Sequence, residues 1–272
     1  MKSTNLGRRT FHAAALGLLL GKPAFAARPP GTPAAGGPKT FVLVHGAWYG
    51  GWCWDKVAQG LRAQGHWVST PTCPGLGEQA HLLSKEISLT THITSIVNHL
   101  RYENLSDVIL VGSGFAGVVI SGVADQVPQR LKSLVFVDAM VPENGLSVFE
   151  AQPAAITKKR MEEVERAGKG MAIPVPAASS YHVPDKATLD WLTERLTPQP
   201  VGTYQEKLVL KNPLGNGVPR IYVDCIASPF APLVEVKKKL RSQSGWKWVE
   251  LNTHHDPMIT EPEMLAEYLG GA

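Results

Sequence analysis

The chemistry available to this chain centres on one tight turn, one histidine and one aspartate. Residues Val111-Gly112-Ser113-Gly114-Phe115-Ala116-Gly117 lie between two apolar runs, Val108 to Val111 and Val118 to Ile120. Strand, sharp turn and helix in that order form a nucleophile elbow, which in a G-x-S-x-G pattern presents its middle residue to a pocket. Aligned on Gly112 and Ala116, the middle residue is Gly114, so the nucleophile position carries no side chain.

The partners of such an elbow can be assigned. His255 lies in Thr253-His254-His255-Asp256-Pro257-Met258, a loop between an apolar run and a helical stretch, where a general base would sit. His254 is the rival, and a surface loop histidine is the bland alternative. The acid that orients the base is expected at Asp138, directly after the apolar run Leu134 to Val137. The next strand ends in Ile226-Ala227-Ser228-Pro229 without a carboxylate, and Asp224 lies inside that strand, where it points the wrong way. A turn-capping role for Asp138, ahead of Pro142, is the competing reading. His45-Gly46-Ala47-Trp48 leaves a strand in a small-residue turn, so the N–H groups of Ala47 and Phe115 are candidate oxyanion donors. Trp48, Tyr49 and Ser113 are candidate pocket residues, with Tyr181, His182 and Trp191 as further contacts from the segment that follows. Trp52 and Trp54 read as core packing.

The elements that must hold these residues alternate. Phe41 to Val44, His66 to Ser69, Val108 to Val111, Leu134 to Val137, Arg220 to Cys225 and Lys247 to Leu251 read as strands. Asp55 to Gln64, Thr90 to Arg101, Gly117 to Asp125 and Glu263 to Leu269 read as helices. That order predicts an α/β fold, a mostly parallel sheet flanked by helices, whose functional loops gather at the carboxyl ends of the strands. His45, Gly114, Asp138, Ser228 and His255 all fall at such ends. Residues from about 142 to 213 break the alternation, with helical segments at Thr157 to Ala167 and Lys186 to Leu196, and are expected to form an inserted helical cap.

The chain begins with Arg8-Arg9-Thr10-Phe11, an apolar stretch Ala13 to Leu20, and Ala24-Phe25-Ala26. This predicts an export signal of the twin-arginine type over 1–26 and a Pro/Gly/Ala-rich flexible linker over 27–38, and hence a periplasmic or secreted protein. The apolar stretch is too short to anchor the chain in a bilayer. The whole sequence has 27 basic and 23 acidic residues. Four of the basic residues, Lys2, Arg8, Arg9 and Lys22, precede the expected cleavage point, so the remainder is near neutral. No basic stripe with interleaved aromatics points to nucleic acid. Cys53, Cys73 and Cys225 lack metal-ligand spacing; a Cys53–Cys73 disulfide and buried free thiols are both open.

Several motifs, in order, resemble one family. Val44-His45-Gly46-Ala47-Trp48-Tyr49-Gly50-Gly51-Trp52, Pro71 to Glu78, Val137-Asp138-Ala139-Met140-Val141-Pro142 and His255-Asp256-Pro257-Met258 resemble the esterase, methylesterase and hydroxynitrile lyase-like branch of the α/β-hydrolase superfamily. The resemblance runs from about Thr40 to the C-terminus and is weakest in the cap. It implies an α/β-hydrolase fold, a Ser-His-Asp apparatus without metal or organic cofactor, and a small ester-like substrate. His255 then matches the base, Asp138 the acid, Ala47 and Phe115 the oxyanion donors, and Gly114 the nucleophile position. At Gly114 the sequence departs from the family. Three readings are open: a serine hydrolase with its nucleophile replaced by glycine, a ligand-binding pseudoenzyme, or a cofactor-free lyase-type enzyme with His255 as base. Ser113 is a poor substitute, because an elbow aims only its middle residue at the pocket.

Overall fold

The computed structural model describes residues 37–228 and 230–271. The expected export signal, and all of the linker except residues 37 and 38, lie outside the described residues. In chain order the elements are β1 (Thr40–Val44), α1 (Asp55–Ala63), β2 (Trp67–Ser69), α2 (Leu89–Tyr102), β3 (Val108–Ser113), α3 (Ala116–Gln126) and β4 (Leu131–Val137). Then follow α4 (Val148–Ala151), α5 (Ala154–Arg166), β5 (Ala172–Ile173), α6 (Lys186–Thr193), β6 (Gln199–Pro200) and α7 (Gly202–Gln205). The chain closes with β7 (Arg220–Cys225), α8 (Val234–Arg241), β8 (Trp246–Leu251), α9 (Pro257–Thr260) and α10 (Pro262–Gly271).

Six strands form one parallel sheet in the order β2-β1-β3-β4-β7-β8. Its central strands are almost continuously apolar, as strands covered on both faces must be. Alternate residues feed two cores. Val42, Val44, Leu110 and Phe136 pack with α2 and α3 on one face. Phe41, Leu43, Val111 and Val135 pack with α1 and α10 on the other. The strand order reverses between β1 and β3, and ligands in such sheets bind outside the carboxyl ends at that reversal. Val44 pairs with Gly112, so the loops leaving β1 and β3 start side by side.

Between β4 and β7 the chain leaves the sheet. It builds four helices and a two-strand antiparallel ribbon, in which Ala172 pairs with Pro200 and Ile173 with Gln199. Strand-period and helix-period reading found the sheet helices to within a few residues. The eight-residue α8 was absent from that reading: Val234-Glu-Val-Lys-Lys-Lys-Leu-Arg241 is dominated by charge and buries only Leu240. All three cysteines are buried and free, so the Cys53–Cys73 disulfide does not form in this structure.

Candidate active site

The elbow forms because two glycines permit a close approach. A Cβ at Gly112 would lie 2.9 Å from the Ala116 carbonyl oxygen, and one at Gly117 would lie 2.3 Å from that of Met140. Gly114 has φ +54, the left-handed region that side-chain-bearing residues rarely adopt. Its N–H donates to the Val137 carbonyl at 3.2 Å, and its carbonyl accepts from Met140 N–H at 2.8 Å. The turn is therefore pinned to the loop after β4, the loop that carries Asp138. The backbone at 114 opens toward His255: a Cβ there would lie 3.5 Å from His255 Nε2 and 3.8 Å from Cε1, with no clash. Ser113, the last residue of β3, is buried and lines the same cavity.

His255 Nδ1 lies 2.7 Å from Asp138 Oδ2. With the Nδ1 proton given to Asp138, Nε2 is the nitrogen left to exchange a proton at position 114. The ring of His255 also stacks on Phe230, centroids 3.9 Å apart. Burial disfavours the imidazolium, but the Asp138 hydrogen bond and the charges of Asp256 and Asp138 outweigh it, and the His255 pKa is raised. Asp138 is almost fully buried. Desolvation opposes its charge, yet the His255 hydrogen bond and Lys237 hold its carboxyl below the usual range. The rival, His254, instead bonds Ser228 Oγ at 3.0 Å and stacks on His182.

Asp138 is supported by residues that sequence reading missed. Lys237 Nζ, on α8, lies 2.5 Å from Asp138 Oδ1 and 2.6 Å from Asp224 Oδ1. Cys225 N–H donates to the same Asp138 oxygen at 3.3 Å. Asp224 in turn meets Arg241 at 2.7 Å, and Arg241 meets Glu250 at 2.5 Å. Asp224 thus anchors Lys237 and does not reach the histidine. Nothing in the lysine run of α8 marks Lys237 out; only the fold brings it to the β7 carboxylate.

The β1 turn is held by a neutral histidine. His45 Nε2 accepts from Cys73 N–H at 3.0 Å, which leaves Nδ1 protonated toward the Gly46 carbonyl at 2.8 Å. Burial depresses its pKa to about 4, so the ring is an uncharged clamp between two loops. The N–H groups of Ala47 and Phe115 donate to no acceptor among the turns and loops described. They flank the cavity beside Gly114.

That cavity encloses about 210 Å³. Trp48, Tyr49, Phe115, Met140, Tyr181 and Tyr204 give it aromatic and aliphatic walls, and His255 and Asp256 close one side. Trp191 lies elsewhere, edge-on against Trp52 at 5.3 Å, and His182 lines a small adjoining cleft. Tyr204 and Arg160, both in the inserted segment, were not anticipated. A larger cavity of about 680 Å³, beside α4 and α8, contains none of these residues. No group of three or more His, Cys, Asp or Glu among the described residues is placed to hold a metal ion. No helix among them is long and apolar enough to cross a membrane.

Residues 41–268 match the model of the alpha/beta hydrolase family. The chain belongs to that family. It is 37% identical over 237 residues to the carbendazim hydrolyzing esterase of a Nocardioides species, covering 84% of this chain and 97% of that protein. Methylesterase 2 of Arabidopsis thaliana is 25% identical over 251 residues, covering 84% and 94%. An extracellular alpha/beta-hydrolase from a Paenibacillus species superposes with TM-score 0.74 at 30% identity, over 85% of this chain and 98% of the other. It is described as sharing structural and functional homology with tobacco Salicylic Acid Binding Protein 2. The resemblance drawn from the motifs is thus correct, as is the α/β-hydrolase fold. This alpha/beta hydrolase is, by lineage, a carboxylesterase-like enzyme.

Proposed function

We propose that this alpha/beta hydrolase is an exported carboxylic-ester hydrolase scaffold for a small apolar or aromatic ester, lacking its nucleophile at Gly114. The observation that carries this reading is the 3.5 Å gap between a Cβ at position 114 and His255 Nε2, with Nδ1 already bonded to Asp138. A serine hydroxyl there, one bond beyond the Cβ, would come within hydrogen-bond reach of Nε2. It would attack the ester carbonyl, His255 would take its proton and deliver it to the leaving alkoxide, and Asp138 would hold the imidazolium. Ala47 and Phe115 N–H would carry the charge on the carbonyl oxygen. Export rests on the paired arginines and short apolar stretch, and the Paenibacillus relative described as extracellular agrees with it. Fractionating cells that express the full chain tests it; mature protein retained in the cytoplasm would count against export.

In another serine hydrolase, removing the nucleophile costs roughly 10⁶ in kcat. The chain with Gly114 is therefore expected to bind ester-like ligands and to turn them over very slowly. Gly114→Ser is expected to raise p-nitrophenyl ester turnover by orders of magnitude, and a folded variant with no gain would sink the hydrolase reading.

A second reading has its own observation: Nε2 faces a position from which the protein offers no hydroxyl. His255 would then act directly on a substrate proton, as in a cofactor-free lyase. Native activity lost in His255→Ala and unchanged in Ser113→Ala favours it. Ligand binding without turnover, indifferent to His255→Ala, favours a pure binding role.

A further inference from the structure

Arg160 on α5 lines the cavity into which position 114 opens, and its charge is not neutralised there. Its Nη1 is fully buried and has no hydrogen-bond partner. It forms no ion pair among the described residues. The guanidinium carbon lies 5.4 Å from the ring centroids of both Trp48 and Tyr204. Aromatic faces support a cation but leave its in-plane N–H groups without acceptors. The Tyr204 hydroxyl is buried beside it, close enough for Arg160 to serve as its hydrogen-bond donor, which leaves the phenolic O–H free to donate. Burial raises its pKa, which Arg160 only partly offsets, so it stays a neutral O–H donor.

A buried guanidinium nitrogen left without an acceptor is costly, and on an arginine that lines the cavity it is available to a ligand. Their position is also informative. Tyr204 stacks on Phe115, centroids 5.1 Å apart, and Trp48 directly follows Ala47. Arg160 therefore stands close to both candidate oxyanion residues, within the cavity an ester would occupy. A carboxylate, planar with two acceptor oxygens, matches a guanidinium donor better than any single acceptor does. Asp256 is the carboxyl that shares the cavity; it sits with His255 and Tyr49, and burial raises its pKa.

We infer that Arg160 and the Tyr204 hydroxyl form an anion subsite, and that the preferred ester carries an ionised carboxylate on a short acyl chain. The inference rests on the hydrolase reading of the same cavity, but its binding half can be measured without turnover. In the Gly114→Ser enzyme, kcat/KM for mono-4-nitrophenyl glutarate is compared with that for the neutral 4-nitrophenyl pentanoate. The anionic ester is expected to be preferred, and Arg160→Met is expected to cut that preference at least about tenfold with little effect on the neutral ester. In the chain with Gly114, calorimetry with monomethyl glutarate should show binding that weakens in Arg160→Met to a similar degree. Should Arg160→Met fail to fold, Arg160→Gln keeps side-chain donors without the charge and reads the same ratio.

An unchanged ratio in a folded variant overturns the subsite. Turnover of both esters without charge preference does so while leaving the hydrolase reading intact. Arg160-dependent binding of monomethyl glutarate, with no turnover in Gly114→Ser, does the reverse.

Discussion

The carboxyl ends of the central strands and the segment inserted between β4 and β7 build one cavity from two kinds of structure. At the strand ends, each functional group is held by the parallel sheet and by short hydrogen bonds. Gly114 is pinned to Val137 and Met140, Asp138 to Cys225 and Lys237, and His45 to Cys73. In the inserted segment the contacts to the cavity are mainly aromatic, and several polar tips, Tyr181 Oη and Arg160 Nη1 among them, have no partner. The first region is built to fix geometry for a bond-making step. The second shapes a space and leaves its polar groups open to whatever fills it. Changes at the strand ends should therefore act on kcat, and changes in the inserted segment on KM.

The sharpest test of that division uses the Gly114→Ser enzyme as its background. Asp138→Asn should lower kcat by roughly 10⁴, by setting the wrong tautomer of His255. A loss of less than tenfold would mean that the acid lies elsewhere. Lys237→Met should lower kcat by roughly tenfold, because Asp138 loses the ammonium 2.5 Å from its second oxygen. The same change removes a positive charge that opposes the imidazolium, so the acid limb of the pH–rate profile should move upward. In the parent Gly114→Ser enzyme that limb should already lie above pH 6.5, since the base must be neutral and its pKa is raised. A limb at or below pH 6.5 would contradict the Asp138–His255 coupling. Tyr181→Ala, in the inserted segment, should raise KM a few-fold with kcat nearly unchanged; an equal fall in kcat would break the division.

A separate effect is expected on stability. His45 and His92 are both buried with pKa depressed to about 4, against 6.5 when free. A group whose folded pKa is depressed stabilises the fold above its unfolded pKa and loses that contribution as pH falls. The thermal midpoint should therefore decline between pH 6.5 and about 4. A flat midpoint across that window would show that neither ring is held neutral by the fold.

How far the sequence foretold all this differs between the same two regions. Parallel strands read as short apolar runs, and the residue after each run is fixed in space by the sheet. Gly114, Asp138 and His255 could thus be placed from their positions relative to Val111, Val137 and Leu251 alone. The inserted segment has no such rule. Tyr204 reaches Phe115 because a four-residue helix, α7, ends a loop anchored by the β5–β6 ribbon, and neither element has a period long enough to read. Arg160 sits in a helix whose sequence, Ala154 to Arg166, is mostly charge and looks solvated throughout. Lys237 was hidden similarly among Lys238 and Lys239, and only the fold separates the buried ammonium from its exposed neighbours.

The backbone angle at Gly114 has a consequence for the chain's evolutionary latitude. A side-chain-bearing residue at φ +54 stores roughly 1–3 kcal/mol of strain, a sizeable share of the ~5–15 kcal/mol that separates a folded domain from its unfolded ensemble. In a working serine elbow that strain is a standing handicap, which the rest of the sequence must keep offsetting. With glycine the handicap is lifted. The strain that remains at the site is carried by Trp48 at φ +69 and Asp138 at φ +42, and the margin freed at 114 is available to offset a mildly destabilising change elsewhere.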